Sequence, residues 1–439
     1  MTSLPLKDMW CEKVALLLVF LAVGILACKK DKDETAPRVR IIAPVAGTSI
    51  NVPDTFTVRV EVSDDHIVEA VTIELLDADG ITVASAGSIS VNASSGTFAR
   101  DIQLTDERLR SGSYTLAARA SDGENDGRGF LGINVLEAPL RLRSIFLAPP
   151  FSTGPVSIMR IDSLGELSTW ATSQDFNGIA VDSYGQHLIV AGSRFAPLQA
   201  LPTAASANLW QVNAPANDQE EQFTAVTVDP KDSRVYFATR DGFIRGYTGA
   251  GIQQFIAQCL EGHRCEAIVV LDGEVATWQR AVVGGASQIV SYSVAGTVLH
   301  QFLLEHERVA LFHRTGTSLV HFANEAGSGL IENMNVSVGG TPEVRNFPGE
   351  TIRAVVRLDA NTYVIALDDR LVRYTYSTDL VSQISAGISA DALAYESATG
   401  ALYVAEGSTL HSLDASTGMV INTVSTGSPI GHILPLLNR

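Results

Sequence analysis

The chain has 439 residues, is 46% hydrophobic and carries a formal net charge of −17, so it has room for more than one core and an acidic surface. That surface excludes binding carried by Lys and Arg on phosphates, so no nucleic-acid partner is expected. No nucleophile elbow, phosphate loop or paired-carboxylate motif occurs, and no cofactor is expected.

Residues 14–27 (VALLLVFLAVGILA) form an uncharged apolar run behind Lys13. The run is short for a membrane span and has the length of a signal-peptide hydrophobic region. It ends in Ile25-Leu26-Ala27-Cys28, which resembles the bacterial lipobox. The resemblance implies a lipoprotein signal peptide over residues 1–27, acylation of Cys28 and attachment to a membrane through lipid. Residues 28–36 contain KKDKDE and no aromatic side chain, and are expected to be a solvated tether reaching at most about 30 Å. The lysine-then-acid order resembles export signals of outer-membrane lipoproteins, which implies an outer-membrane address on the cell surface or the periplasmic face.

Over residues 37–137 the hydrophobic period is two. Val39 and Ile41 alternate with arginines, Phe56, Val58, Val60 and Val62 alternate with polar residues, and Val71, Ile73 and Leu75 follow. Turn clusters at Asp64-Asp65, Asp77 to Gly80, Ser94 to Gly96 and Ser111-Gly112 divide this stretch into about seven short strands, the number an antiparallel sandwich needs. Pro37, Val39, Ile41, Pro44 and Gly47, then Val62 to Asp65, Ser111 to Leu116 and Ala120 to Asp122, resemble the bacterial immunoglobulin-like modules. The resemblance implies a spacer or adhesive arm and no catalysis. Asp64 and Asp65 crowd one loop, and Asp122, Glu124, Asn125 and Asp126 another. Oxygen ligands of this kind hold calcium when two loops meet, and turn chemistry explains the same residues. No metal site is assigned.

After a short join, residues 141–439 repeat. A small residue followed by an apolar one recurs at Gly178, Ala225, Ala267, Ala310, Ala354 and Ala392, 38 to 47 residues apart, the spacing of four-stranded blades. Residues 142–148, 156–161 and 167–172 supply second, third and fourth strands without a first, and Gly431 to Leu434 supplies a first strand with nothing after it. One split blade and six whole ones predict an all-β chain in which the sandwich is followed by a seven-bladed β-propeller closed by its N- and C-terminal strands. Val235 to Ala238 with Asp241-Gly242, and Leu402 to Ala405 with Leu413 to Gly418, resemble the YVTN and pyrroloquinoline-quinone-like bacterial propellers. Those quinone enzymes have eight blades and blade-closing tryptophans. This chain has four tryptophans in all, so cofactor use is not carried over.

Three loops stand out on one rim. Residues 193–207 (SRFAPLQALPTAASA) interrupt a blade between its second and third strands, and Arg194, Phe195, Leu198 and Leu201 are candidate ligand contacts there. The equivalent loop of the preceding blade, residues 149–154, adds Phe151. Cys259 and Cys265 bracket the third loop and read as a disulfide. Two buried thiols, or zinc through Cys259, His263 and Cys265, are the alternatives. Asp182, Asp229, Asp272, Asp359 and Glu396 recur after the first strands and read as turn caps. His300, His306, His313 and His321 cluster in sequence without an assigned metal. The expected function is a lipid-anchored envelope protein that binds a protein or glycan through the propeller rim, with the sandwich as spacer. The alternatives are a propeller hydrolase or lactonase and a structural envelope component.

Overall fold

The structure is a computed structural model that describes residues 33–205, 207–215 and 220–439. The expected signal peptide, Cys28 and the first part of the expected tether lie outside these residues. The chain divides into two compact units, Met1–Ala138 and Pro139–Arg439.

The first unit is built on two strands of 23 residues each, Asp54–Leu76 and Thr82–Leu104, paired antiparallel over most of their length. The first half of Asp54–Leu76 also pairs with Arg38–Ala43, and its second half with Gly112–Ser121, which in turn pairs with Asp126–Leu136. Asp54–Leu76 therefore links two groups of strands. The pairing register shifts between Ser63 and Val68, where Asp64 and Asp65 sit. The expected turns at Asp64-Asp65 and at Ser94 to Gly96 thus bend a continuous ribbon instead of ending strands, and six strands replace the expected seven or so. Alternation survives the bend, because Val58, Val60 and Val62 on one side of it and Val71, Ile73 and Leu75 on the other all enter one core with Ile102, Leu116, Ala118 and Ile133.

The second unit consists of seven four-stranded antiparallel sheets. Six are sequential meanders, whose first strands are Gly178–Asp182, Phe223–Asp229, His263–Val270, Glu307–Thr315, Ala354–Arg357 and Ala392–Glu396. The seventh, here blade 1, pairs C-terminal His432–Leu437 with Leu142–Ala148, followed by Val156–Ile161 and Leu167–Ser173. Blades 2 to 7 follow in chain order.

The packing closes these sheets into a ring. Seven apolar clusters each draw on two adjacent blades. Phe146 and Ile158 pack with Phe176 and Leu188, Leu198 with Phe223 and Phe237, Tyr236 with Tyr292 and Trp278 with Leu319 and Met334. Phe322 packs with Tyr363, Leu371 with Leu402, and Tyr403 with Ile145 and Ile433. The last of these joins blade 7 to blade 1. Second strands are covered on both faces by neighbouring blades, so Arg234–Thr239 and Ala401–Glu406 are buried almost throughout. Fourth strands face solvent, and Val420–Ser425 is exposed along most of its length. No described helix is long and apolar enough to cross a membrane.

Tyr114, at the start of Gly112–Ser121, donates its hydroxyl to the Arg110 carbonyl at 3.0 Å, a tyrosine corner that ties the strand entry down. Tyr114→Phe is expected to destabilise the first unit by about 1 kcal/mol. The described tryptophans, Trp170, Trp210 and Trp278, all lie in the second unit. Calorimetry should therefore show one transition lowered by the substitution while tryptophan fluorescence reports an unchanged second-unit transition.

Candidate functional site

In an up-and-down blade, the loop between second and third strands opens on the same face as the connection from a fourth strand to the next blade's first. On that face the structure joins the loops of blades 1, 2 and 3 by backbone hydrogen bonds. Ser152, in the loop of blade 1, exchanges two bonds with Phe176 (2.9 and 2.8 Å). Next to Phe176, the Asp175 carboxylate is fully buried and accepts four N–H groups from the loop of blade 2, from Ser193 (2.8 Å), Arg194 (2.8 Å), Phe195 (2.7 Å) and Ala196 (3.1 Å). Four successive N–H groups on one anion form a closed nest, which fixes the loop's conformation. The Ser193 carbonyl accepts Gln222 N at 2.6 Å, and the Gln222 carbonyl accepts Arg240 N at 2.9 Å, which carries the chain of bonds to blade 3.

Two glycines permit this close approach. A Cβ on Gly192 would lie 2.1 Å from the Ala196 carbonyl oxygen, and one on Gly431 would lie 2.5 Å from the Pro150 backbone. The resulting rim presents Phe151 and Phe195 to solvent, 45% and 46% exposed. Beside Phe151 a groove of about 410 Å³ runs between blades 1 and 7, lined by Pro149, Pro150, Met159, Pro429 and Ile430 among others. Arg194 is half-buried next to Phe195.

Leu198 and Leu201 are corrected. Residues 193–207 are not one long loop, because Leu198–Pro202 is the third strand of blade 2, paired with both His187–Ala191 and Trp210–Val212. Leu198 packs in the core between blades 2 and 3 and Leu201 in the core between blades 1 and 2, so neither can touch a ligand. The fourth strand that the sequence hides is Trp210–Val212, three residues long. It is held by the Trp210 ring, which stacks on Tyr247 at 5.7 Å and donates to the Gly249 carbonyl at 2.9 Å.

The disulfide is likewise corrected. Cys259 and Cys265 are buried free thiols in the core between blades 3 and 4. The Cys265 thiol donates to the Ala267 carbonyl at 3.3 Å. Burial pushes the Cys259 thiol up to about 12 and Cys265 well above its ordinary value, which leaves both unreactive. The His263 ring is engaged elsewhere, with Nδ1 at 2.9 Å from the Glu261 carbonyl and Nε2 at 2.6 Å from the Gln288 amide, so it does not complete a zinc set.

Of the four clustered histidines, His306 and His321 meet on the Glu332 carboxylate, at 2.9 and 2.7 Å. Burial lowers the pKa of His321 although Glu332 lies beside it. His313 instead contacts the Gly316 carbonyl at 3.0 Å. The recurring carboxylates cap turns: Asp182 accepts Gly185 N, Asp229 accepts Lys231 N, Asp359 accepts Asn361 N and Glu396 accepts Thr399 N. Asp272 departs from that pattern by reaching across to the next blade's Gly316 N.

The first strands of blades 1 to 4 surround a smaller cavity of about 260 Å³ that holds Glu266 and His432. Glu266 is engaged by Arg264 and Arg280, each at 3.0 Å. His432 packs edge-on to Phe176, and burial lowers its pKa.

Residues 37–118 match the family described as bacterial Ig domain. No curated protein matches the chain. Among solved structures, a quinoprotein alcohol dehydrogenase-like protein from Bacteroides thetaiotaomicron is 11% identical with a TM-score of 0.47, covering 90% of this chain and 99% of that one. BamB from Moraxella catarrhalis is 16% identical with a TM-score of 0.39, covering 56% and 72%.

The different roles of neighbouring rim residues are open to test by substitution. Leu198→Ala should cost about 2–5 kcal/mol by opening a cavity between blades 2 and 3, whereas Phe195→Ala should stay within about 0.5 kcal/mol of the parent. Urea unfolding followed by tryptophan fluorescence measures both. Equal effects would show that Leu198 is not core.

Proposed function

We propose that this chain is a lipid-anchored envelope protein that grips a protein or glycan through the rim of its propeller, with the immunoglobulin-like unit as spacer. The carrying observation is the Phe151–Phe195 rim, two exposed aromatic side chains on loops whose backbones are already fixed by Asp175 and by the Ser152–Phe176 pairing. Exposed aromatics on a preorganised backbone lose little entropy on binding, and such residues anchor most recognition surfaces. The proline-lined groove beside Phe151 offers a stiff wall against which an apolar side chain or a sugar face can lie. The lipobox-like ending at Cys28 supports the anchor, and the charged, aromatic-free tether sequence supports its solvation.

The enzyme reading has less support. A general acid or base must be free to exchange a proton with substrate, and Glu266, the acid that lines the cavity among the first strands, is held by two arginines. A purely structural role differs from the proposed one in needing no rim aromatics.

One experiment addresses anchor and rim together: cross-linking in intact cells that express the parent, Cys28→Ser, or Phe151→Ser with Phe195→Ser. The parent should fractionate with membranes and cross-link a specific envelope partner. The cysteine variant should leave the membrane fraction, and the double variant should stay anchored but lose the partner at least about tenfold, the loss of one buried aromatic anchor. A double variant that cross-links like the parent would overturn the rim assignment, and a membrane-bound Cys28→Ser would overturn the anchor.

A further inference from the structure

At one end of the immunoglobulin-like unit, three carboxylates converge from three separate stretches of chain. Asp33 precedes the first strand, Asp64 lies at the bend of the long ribbon, and Asp122 opens the turn between Gly112–Ser121 and Asp126–Leu136. One carboxylate oxygen of each lies within 4.8 Å of the others.

Each carboxylate engages its neighbours through one oxygen. Asp33 Oδ1 accepts Thr35 N at 2.9 Å and Thr35 Oγ1 at 3.0 Å. Asp64 Oδ1 accepts Asp65 N at 2.8 Å. Asp122 Oδ1 accepts Glu124 N at 2.7 Å and Asn125 N at 2.6 Å. In all three residues Oδ2 is buried; those of Asp64 and Asp122 have no hydrogen-bond donor, and that of Asp33 lies beside the His66 ring. Asp33 is only 9% exposed. A buried anion without a donor is costly, and three together repel one another.

His66 Nδ1 stands 3.1 Å from Asp33 Oδ2 and 3.4 Å from Asp65. Even a protonated imidazole would leave the carboxylates of Asp33, Asp64, Asp65 and Asp122 with excess negative charge. The carboxylates are held in place independently of any ion. The Asn125 amide donates to the Asp33 and Thr35 carbonyls at 3.0 and 3.1 Å, and Asp33 N donates to Glu124 at 3.2 Å. A groove of about 440 Å³ lined by Thr35, Arg38, Ser63, Asp64 and Asp65 gives access from solvent.

We propose that Asp33, Asp64 and Asp122 form a calcium site that fastens the incoming chain to the two loops at this end of the immunoglobulin-like unit. Calcium–oxygen distances of about 2.3–2.6 Å allow two ligand oxygens of one ion to lie up to about 5 Å apart, which accommodates the observed spacing. An all-carboxylate set selects a hard cation, and bulk water reaching the groove completes a coordination shell larger than magnesium tolerates. The ion replaces the missing donors and cancels the repulsion. Its structural effect is to reinforce the hold of Asn125 and Glu124 on residues 33–36.

The test uses the purified full chain in detergent, stripped with a chelator and titrated with calcium chloride by calorimetry, with thermal unfolding followed in parallel. The parent should bind one calcium per chain, and the melting transition of the first unit should rise by at least about 4 °C in millimolar calcium. Asp64→Asn and Asp122→Asn should each weaken binding at least tenfold. Both should melt no lower than the parent in chelator, because each relieves repulsion, and this separates lost binding from lost folding. Asp126→Asn, which breaks the exposed pair with Arg119, should bind as the parent does. A parent whose melting is the same in chelator and in calcium, or asparagine variants that bind like the parent, would overturn the proposal.

Discussion

The propeller depends on one strand pairing. His432–Leu437 lies antiparallel to Leu142–Ala148, with Ile433 opposite Leu147 and Leu434 opposite Phe146. Without it, Leu142–Ala148 would be an open sheet edge and the cores on both sides of blade 1 would lose a wall. With it, every blade has a neighbour on each face, and the apolar side chains of Leu142–Ala148 divide between the core shared with blade 7 and the core shared with blade 2. Closure removes the edge that would otherwise template aggregation. It also sets the rim, since Gly431 packs directly against Pro150 at the start of the Phe151 loop.

The fold was largely legible because its signals are local. Period-two alternation marks strands, and a small-then-apolar pair marks each first strand because the chain is crowded near the propeller axis. All six internal anchors, from Gly178 to Ala392, fall in first strands. The failures came where tertiary structure reassigns a local signal. Leu198 and Leu201 sit among Pro, Ala and Ser and look like loop, yet the blade draws them into a short third strand because two neighbouring cores need those side chains. In the sandwich, Asp64-Asp65 and Ser94 to Gly96 carry turn chemistry, but partner strands on both sides hold the ribbon together through the bend.

Site residues were less legible, for a physical reason. Phe151 and Phe195 could be picked out as aromatics among prolines. Asp175, which fixes the conformation of the Phe195 loop, lies 18 to 21 residues before the amides it binds and has no motif. Only the folded blade brings them together. The acidic cluster of the first unit shows the same limit: Asp64 and Asp122 were visible as loop carboxylates, whereas Asp33 looked like part of a solvated charge run. The cysteine pair erred the other way, because spacing and compartment suggest a bond while burial in an apolar core accounts for two thiols.

The most direct measurement of the central claim is hydrogen exchange on a chain ended after Ile430. If the last strand closes the ring, amides of Leu142–Ala148 should lose protection, the loss should extend to Phe176 and the Phe195 loop, and adding a synthetic peptide of residues 430–439 should restore it. Protection that is unchanged by the truncation would contradict closure through this pairing and, with it, the physical basis of the rim.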